Sequence, residues 1–222
     1  MLTELVKKTI KEHSLKLAPK ESCGLIICKD NDFIAFPCRN MSKRDSSFSI
    51  HPFDYVTGSA LGEIKDIYHS HSNSEVFSQK DLVQTNLHEI PFVMYYIPKD
   101  KFKIANPFKL GQNDCYTPIQ NFFASRGLNL PNYKRSEGWK DKTPGLIEKS
   151  YKEQGFIEIP LNKIRKDDII LFKFKKDFAE HIGIYLGDDK FLHNSKEGIE
   201  KIESLSDRWG KYAFIGLRYG IE

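Results

Sequence analysis

A chain of 222 residues can hold one large domain or two of roughly 100 residues each. With 40% hydrophobic and 13% aromatic residues it has the material for packed cores and falls outside the disordered class. The net charge of +4 is mild, and the lysines are scattered apart from short clusters over 163–166 and 173–176, so solvated faces are expected rather than a nucleic-acid surface.

Residues 3–17 open on Thr3 as a candidate N-cap, and Leu5, Val6 and Ile10 supply a helical stripe. Short apolar runs over 24–28, 33–36 and 48–50 read as strands between polar turns. Pro52 begins an expected helix to Leu61. A strand over 64–68 then leads into HSHSNSEVFSQKDL, residues 69–82. On an extended strand His69 and His71 point to the same face and can converge on one ion. Asp81 starts a further expected helix, which Ser78 can cap in a capping box. Two histidines and a carboxylate make a candidate zinc set with the fourth position open. FVMYYI (92–97) reads as a strand, and 98–112 as an irregular linker that places a domain boundary near 106.

GQNDCYT (111–117) opens the second half and carries Cys115, the best nucleophile candidate in the chain. The stripe Cys115, Ile119, Phe122, Phe123, Leu128 is helical, and a cysteine at a helix N-terminus is expected to have a stabilised, fast-reacting thiolate. Gly127 stops the helix, and another is expected over 144–154. Strands are expected over 168–174, 181–187, 190–194 and 212–219, with Gly187-Asp188-Asp189 as a hairpin turn. Helix first and strands afterwards make this half α+β. Antiparallel pairing would bring His181 beside His193, giving Cys115 a general base and the base an orienting partner.

The remaining cysteines, Cys23, Cys28 and Cys38, form no CxxC pair and read as buried thiols of a protein made in a reducing cytoplasm. No signal peptide opens the chain and no apolar run reaches about 18 residues, so a soluble protein without a membrane span is expected.

Two family resemblances sharpen these readings. Glu21 in PKESCGLI, followed by His69-x-His71 and then Asp81, resembles the signature of the JAMM (MPN) metalloproteases. That resemblance implies His69, His71 and Asp81 as zinc ligands, Glu21 as general base and Ser78 as an oxyanion contact. Ser72 stands where the family usually has proline, and the loop to Ser78 is short. NDCYT together with HIGIYLGDDKFLHNS resembles the NlpC-type cell-wall peptidases. It implies Cys115 as nucleophile, His181 as base, His193 as orienting residue and Asp114 as structural. The implied substrate is the stem peptide of peptidoglycan, cut between D-γ-glutamate and the diamino acid. The expected fold is α+β in two domains, a JAMM/MPN-like α/β sandwich over 1–105 and a papain-like NlpC-type domain over 106–222. The pair in one chain resembles the tail-tip assembly peptidases of long-tailed bacteriophages. That implies tail-tip proteins as partners, a virion tail location and action at the host wall. A non-catalytic tail-tip component and a cellular deconjugating isopeptidase stay open as alternatives.

Overall fold

The computed structural model describes residues 2–196 and 199–220. The chain divides into two compact units, Met1–Pro107 and Phe108–Glu222, each with mixed helix and sheet.

In the first unit the elements run α1 (Glu4–Leu17), β1 (Cys23–Lys29), β2 (Asp32–Cys38), α2 (Pro52–Leu61), β3 (Glu63–His71), α3 (Gln79–His88), β4 (Phe92–Tyr96) and β5 (Lys101–Ala105). Thr3 caps α1, its hydroxyl accepting from Val6 N at 3.2 Å, as the sequence predicts. The strands form one sheet in the order β2-β1-β3-β4-β5. Only the β3–β4 pair is parallel, with α3 as its crossover. Two apolar layers sandwich the sheet. Val6, Ile10, Ile26, Tyr68 and Val93 lie on the α1 side, and Cys23, Leu25, Ile27, Ile67 and Phe92 on the other. The buried thiols of Cys23 and Cys38 thus serve as small core residues.

Two expectations change here. Residues 48–50 make only an isolated bridge, Asn40 to Ile50, and no strand. The expected linker contains β5, whose KFKIA pattern alternates and pairs antiparallel with β4 at the sheet edge, where lysines suit a solvent-facing strand.

In the second unit the order is α4 (Thr117–Ala124), α5 (Trp139–Lys142), α6 (Leu146–Glu153), β6 (Phe156–Ile159), β7 (Ile169–Phe172), β8 (His181–Gly187), β9 (Lys190–Asn194), β10 (Glu200–Ser204) and β11 (Ala213–Tyr219). The sheet order is β10-β9-β8-β7-β11-β6. The hairpin turn between β8 and β9 is as expected, with Gly187, Asp188 and Asp189 all at positive φ. The sequence reading missed β6 and β10, which are short, charged and at the two sheet edges. Helix residues Ile119, Ile147 and Tyr151 pack on Ile169, Leu171, Ile182 and Ile184. Ile170, Phe172 and Phe191 point to the opposite face, against Trp209 and Tyr212. Among the described residues no helix is long and apolar enough to cross a membrane.

Candidate functional site

Strand pairing builds the first cluster. β1 and β3 run antiparallel with Cys23 opposite His69, and Ser70 N donates to Ser22 O at 3.1 Å. Two residues further out, that register sets Glu21 against His71, with Glu21 Oε1 3.5 Å from His71 Nε2. Serines lock the crossing: Ser22 N donates to Ser70 Oγ at 2.9 Å, and the Ser22 and Ser14 hydroxyls lie 2.7 Å apart. Because side chains alternate along β3, His69 and His71 share a face, and their Nε2 atoms are 3.2 Å apart. Helix α3 delivers the third group. Ser78 and Asp81 form the capping box, with Ser78 N donating to Asp81 Oδ2 at 2.8 Å and Asp81 N donating to Ser78 Oγ at 3.2 Å. The same Oδ2 lies 3.6 Å from His69 Nε2 and 3.7 Å from His71 Nε2.

These donors fit a tetrahedral zinc ion. Bonds of about 2.0–2.1 Å at tetrahedral angles put neighbouring ligand atoms about 3.3–3.4 Å apart, and the three separations here are 3.2, 3.6 and 3.7 Å. His71 Nδ1 lies 3.0 Å from the Ser74 carbonyl oxygen and donates to it, which turns the Nε2 lone pair toward the cluster. Burial lowers the His69 pKa and keeps that ring neutral, as a ligand must be. Burial also works against the Asp81 carboxylate, but the neighbouring His69 and His71 rings and the Ser78 N–H outweigh it and hold Asp81 ionised. Burial pushes the Glu21 carboxyl up to about 7, against the pull of His71. A carboxyl so placed can take and return a proton near neutral pH. Glu21 and Ser78 line two cavities, of about 450 and 260 Å³, that flank the cluster.

The cysteine turn is organised by Asp114. This buried carboxylate accepts from Gly111 N at 2.6 Å, Tyr116 N at 2.9 Å and Arg135 Nε at 2.7 Å. Cys115 lies just outside the helix, which begins at Thr117 with Pro118 in its first turn. That position gives the thiol less of the helix N-terminal stabilisation than the sequence predicts. Burial, with Asp114 adding to it, pushes the Cys115 thiol up to about 12. Cys115 lines a cavity of only about 20 Å³ together with Trp139, Tyr151 and Ile182.

The two histidines do meet. His181 Nε2 lies 2.8 Å from His193 Nδ1, and His193 Nε2 lies 2.7 Å from Glu203 Oε2. Trp209 stacks on His181 at 5.3 Å and meets His193 edge-on at 4.7 Å. Gly183 permits this packing, since a Cβ there would lie 2.7 Å from the Phe191 ring on which His193 stacks. Among the described residues no hydrogen bond joins Cys115 to His181. Strand alternation is the reason: Ile182 enters the wall beside Cys115, while His181 points to the face of Phe172 and Trp209. One link runs between the two neighbourhoods: Asn194 Nδ2, next to His193, donates to Asn113 Oδ1 at 3.0 Å. The sequence reading did not include Glu203 or Trp209. Only the weak alternation of EKIES and a lone tryptophan pointed to them.

Residues 105–218 match the sequence model of the NlpC/P60 family, a little over half of the chain. The chain belongs to the NlpC/P60 family. The rest of this NlpC/P60 chain, residues 4–109, matches the model for prokaryotic homologs of the JAB domain. It is 25% identical to the tail tip assembly protein K of Escherichia phage N15, over 95% of this chain and 92% of that protein. To the tail tip assembly protein K of Escherichia phage lambda it is 26% identical, over 71% of this chain and 83% of that protein. Murein DD-endopeptidase MepH of Escherichia coli (strain K12) is 25% identical over 52% of this chain, which spans 41% of that protein.

Proposed function

We propose that the chain is a tail-tip protein of a bacteriophage with two hydrolytic domains, 1–105 and 106–222. The second hydrolyses amide bonds in peptidoglycan stem peptides, between D-γ-glutamate and the diamino acid, at the host wall during infection. The first acts on a peptide during tail assembly or docks there. The observation that carries the reading is the hydrogen-bonded pair His181 and His193 in an NlpC/P60 chain that also presents Cys115. Likeness along nearly the whole chain to a tail tip assembly protein supports the tail as its place of work.

In the second domain Cys115 is the nucleophile. Its sulfur attacks the amide carbonyl carbon while its proton passes to His181, and His181 returns a proton to the leaving amine. Water then releases the acyl group from sulfur. His181 is held neutral, well below the usual histidine range, by burial and by the neighbouring His193, so it starts able to accept. With burial pushing the Cys115 thiol up, the transfer would accompany attack rather than precede it. Cys115 must come to His181 for this step, a displacement that substrate binding would drive while His181 keeps its bond to His193. In the first domain His69, His71 and Asp81 would hold a zinc ion, which would supply Lewis-acid polarisation of a carbonyl when bound. Glu21 would hold and move the proton, and Ser78, beyond its capping role, would face the oxyanion.

The test is digestion of purified peptidoglycan, with fragments identified by mass, for wild type, Cys115→Ala and Glu21→Ala. Loss of stem-peptide cleavage only in Cys115→Ala is expected. Cleavage that survives Cys115→Ala would overturn the assignment. Absence of cleavage by every form, isolated or on assembled tails, would favour a non-catalytic tail-tip component.

A further inference from the structure

Glu203 closes a chain of hydrogen bonds whose donors and acceptors can be assigned. A neutral imidazole has one N–H and one lone pair, and an ionised carboxylate only accepts. Glu203 receives donors on both oxygens. Trp209 Nε1 donates to Oε2 at 3.0 Å and Arg208 Nη2 donates to Oε1 at 2.6 Å. Burial favours its neutral form, but the hydrogen bond and charge of His193 and the charge of Arg208 prevail and keep it ionised. With an anion 2.7 Å away, His193 Nε2 carries the hydrogen and His193 Nδ1 is left with its lone pair. His181 Nε2, 2.8 Å from that lone pair, must then donate to it.

We propose that Glu203 is a positioning residue that sets the tautomer of both histidines, so that His181 presents Nδ1 as its free lone pair. This rests on the reading of His181 as the proton carrier for Cys115. The fold supplies the geometry. β10 pairs antiparallel with β9, with Lys201 opposite His193 and Glu203 opposite Phe191, so Glu203 is the diagonal neighbour of His193 on the same face. Trp209 covers both rings and keeps competing water from the His181–His193 contact. Reversing the chain would put the hydrogen on His181 Nδ1, and the ring could then no longer accept a proton there. A carboxylate at the far end forbids that arrangement. A neutral amide, which can donate as well as accept, allows it.

The test is ¹⁵N NMR of the histidine rings in the full chain, wild type against Glu203→Gln, with steady-state cleavage of peptidoglycan fragments beside it. In wild type, both His181 and His193 should show hydrogen on Nε2. In Glu203→Gln the Nδ1–H form of both rings should rise by at least about tenfold. kcat should fall about 10²-fold while KM moves less than about twofold, as expected for a loss in proton transfer rather than in binding. Hydrogen on Nδ1 of His193 in wild type would overturn the proposal before any variant is made. So would unchanged tautomers in Glu203→Gln. If no form cleaves peptidoglycan, the hydrolase reading fails, yet the tautomer measurement still decides the role of Glu203.

Discussion

The two units assemble their chemistry in different ways. In the first, Glu21, His69, His71 and Asp81 stand within 3.2–3.7 Å of a neighbour, because one strand register and one helix cap place all four. In the second, His181 and His193 are hydrogen-bonded from neighbouring strands, but Cys115 comes from a turn ahead of a helix on the other face of the sheet. Groups that share a sheet face inherit the precision of the ladder. Groups joined across helix–sheet packing depend on a contact that can shift by a few ångströms without breaking a backbone hydrogen bond. A cluster preformed in this way could hold an ion without rearrangement.

The sharpest way to break this contrast is metal content. Purified protein should carry about one zinc per chain, and His69→Ala/His71→Ala should carry none after dialysis. Equal content in both would show that the cluster is only a polar core. Next in size is thiol reactivity. With its pKa near 12, Cys115 should be alkylated at pH 7.5 at least about tenfold more slowly than a free thiol. Its rate should keep rising beyond pH 9. Faster reaction than a free thiol would mean that Cys115 readily leaves its pocket, and the two sites would then differ less than the resting geometry indicates.

Smaller effects are expected in the scaffolds. Arg135→Ala leaves the Asp114 carboxylate buried with only backbone donors and should cost about 3 kcal/mol in the second unit. Both tryptophans belong to that unit, so denaturant unfolding followed by their fluorescence reads it. An unchanged midpoint would show that the backbone donors alone hold the turn. In the first unit Asp66 is buried, neither of its oxygens has a hydrogen-bond partner among the described residues, and burial pushes its carboxyl up to about 6. The folded form keeps that proton to higher pH than the unfolded chain, which releases it near pH 4. Stability should therefore fall as pH rises from about 4 through 6. Asp66→Asn should stabilise this unit at pH 7 by about 1–3 kcal/mol, measured by circular dichroism during denaturation. No gain at pH 7 would mean that Asp66 has a partner when folded in solution.

Much of this could be read along the chain. The one-residue spacing of His69 and His71 fixes a shared face on any strand, and Ser78-x-x-Asp81 fixes a helix start, since both depend on neighbours within four residues. The apolar stripe from Cys115 predicts a helix two residues ahead of its start at Thr117, although Pro118 marks the first turn. Glu21 was legible only through family resemblance, because its partner lies across a register that local sequence does not specify. Glu203 was not legible at all, since its strand is short, charged and at an edge.

The sequence by itself determined the two α+β units, the histidine spacings, the capping box and the cysteine turn, all of which follow from local periodicity and turn chemistry. Tertiary structure alone decided that Glu21 faces His71, that Glu203 anchors His193, and that Cys115 lies beside Ile182 rather than His181. Those outcomes depend on strand register, on which face of a sheet a helix covers, and on burial, and none of the three is a property of neighbouring residues.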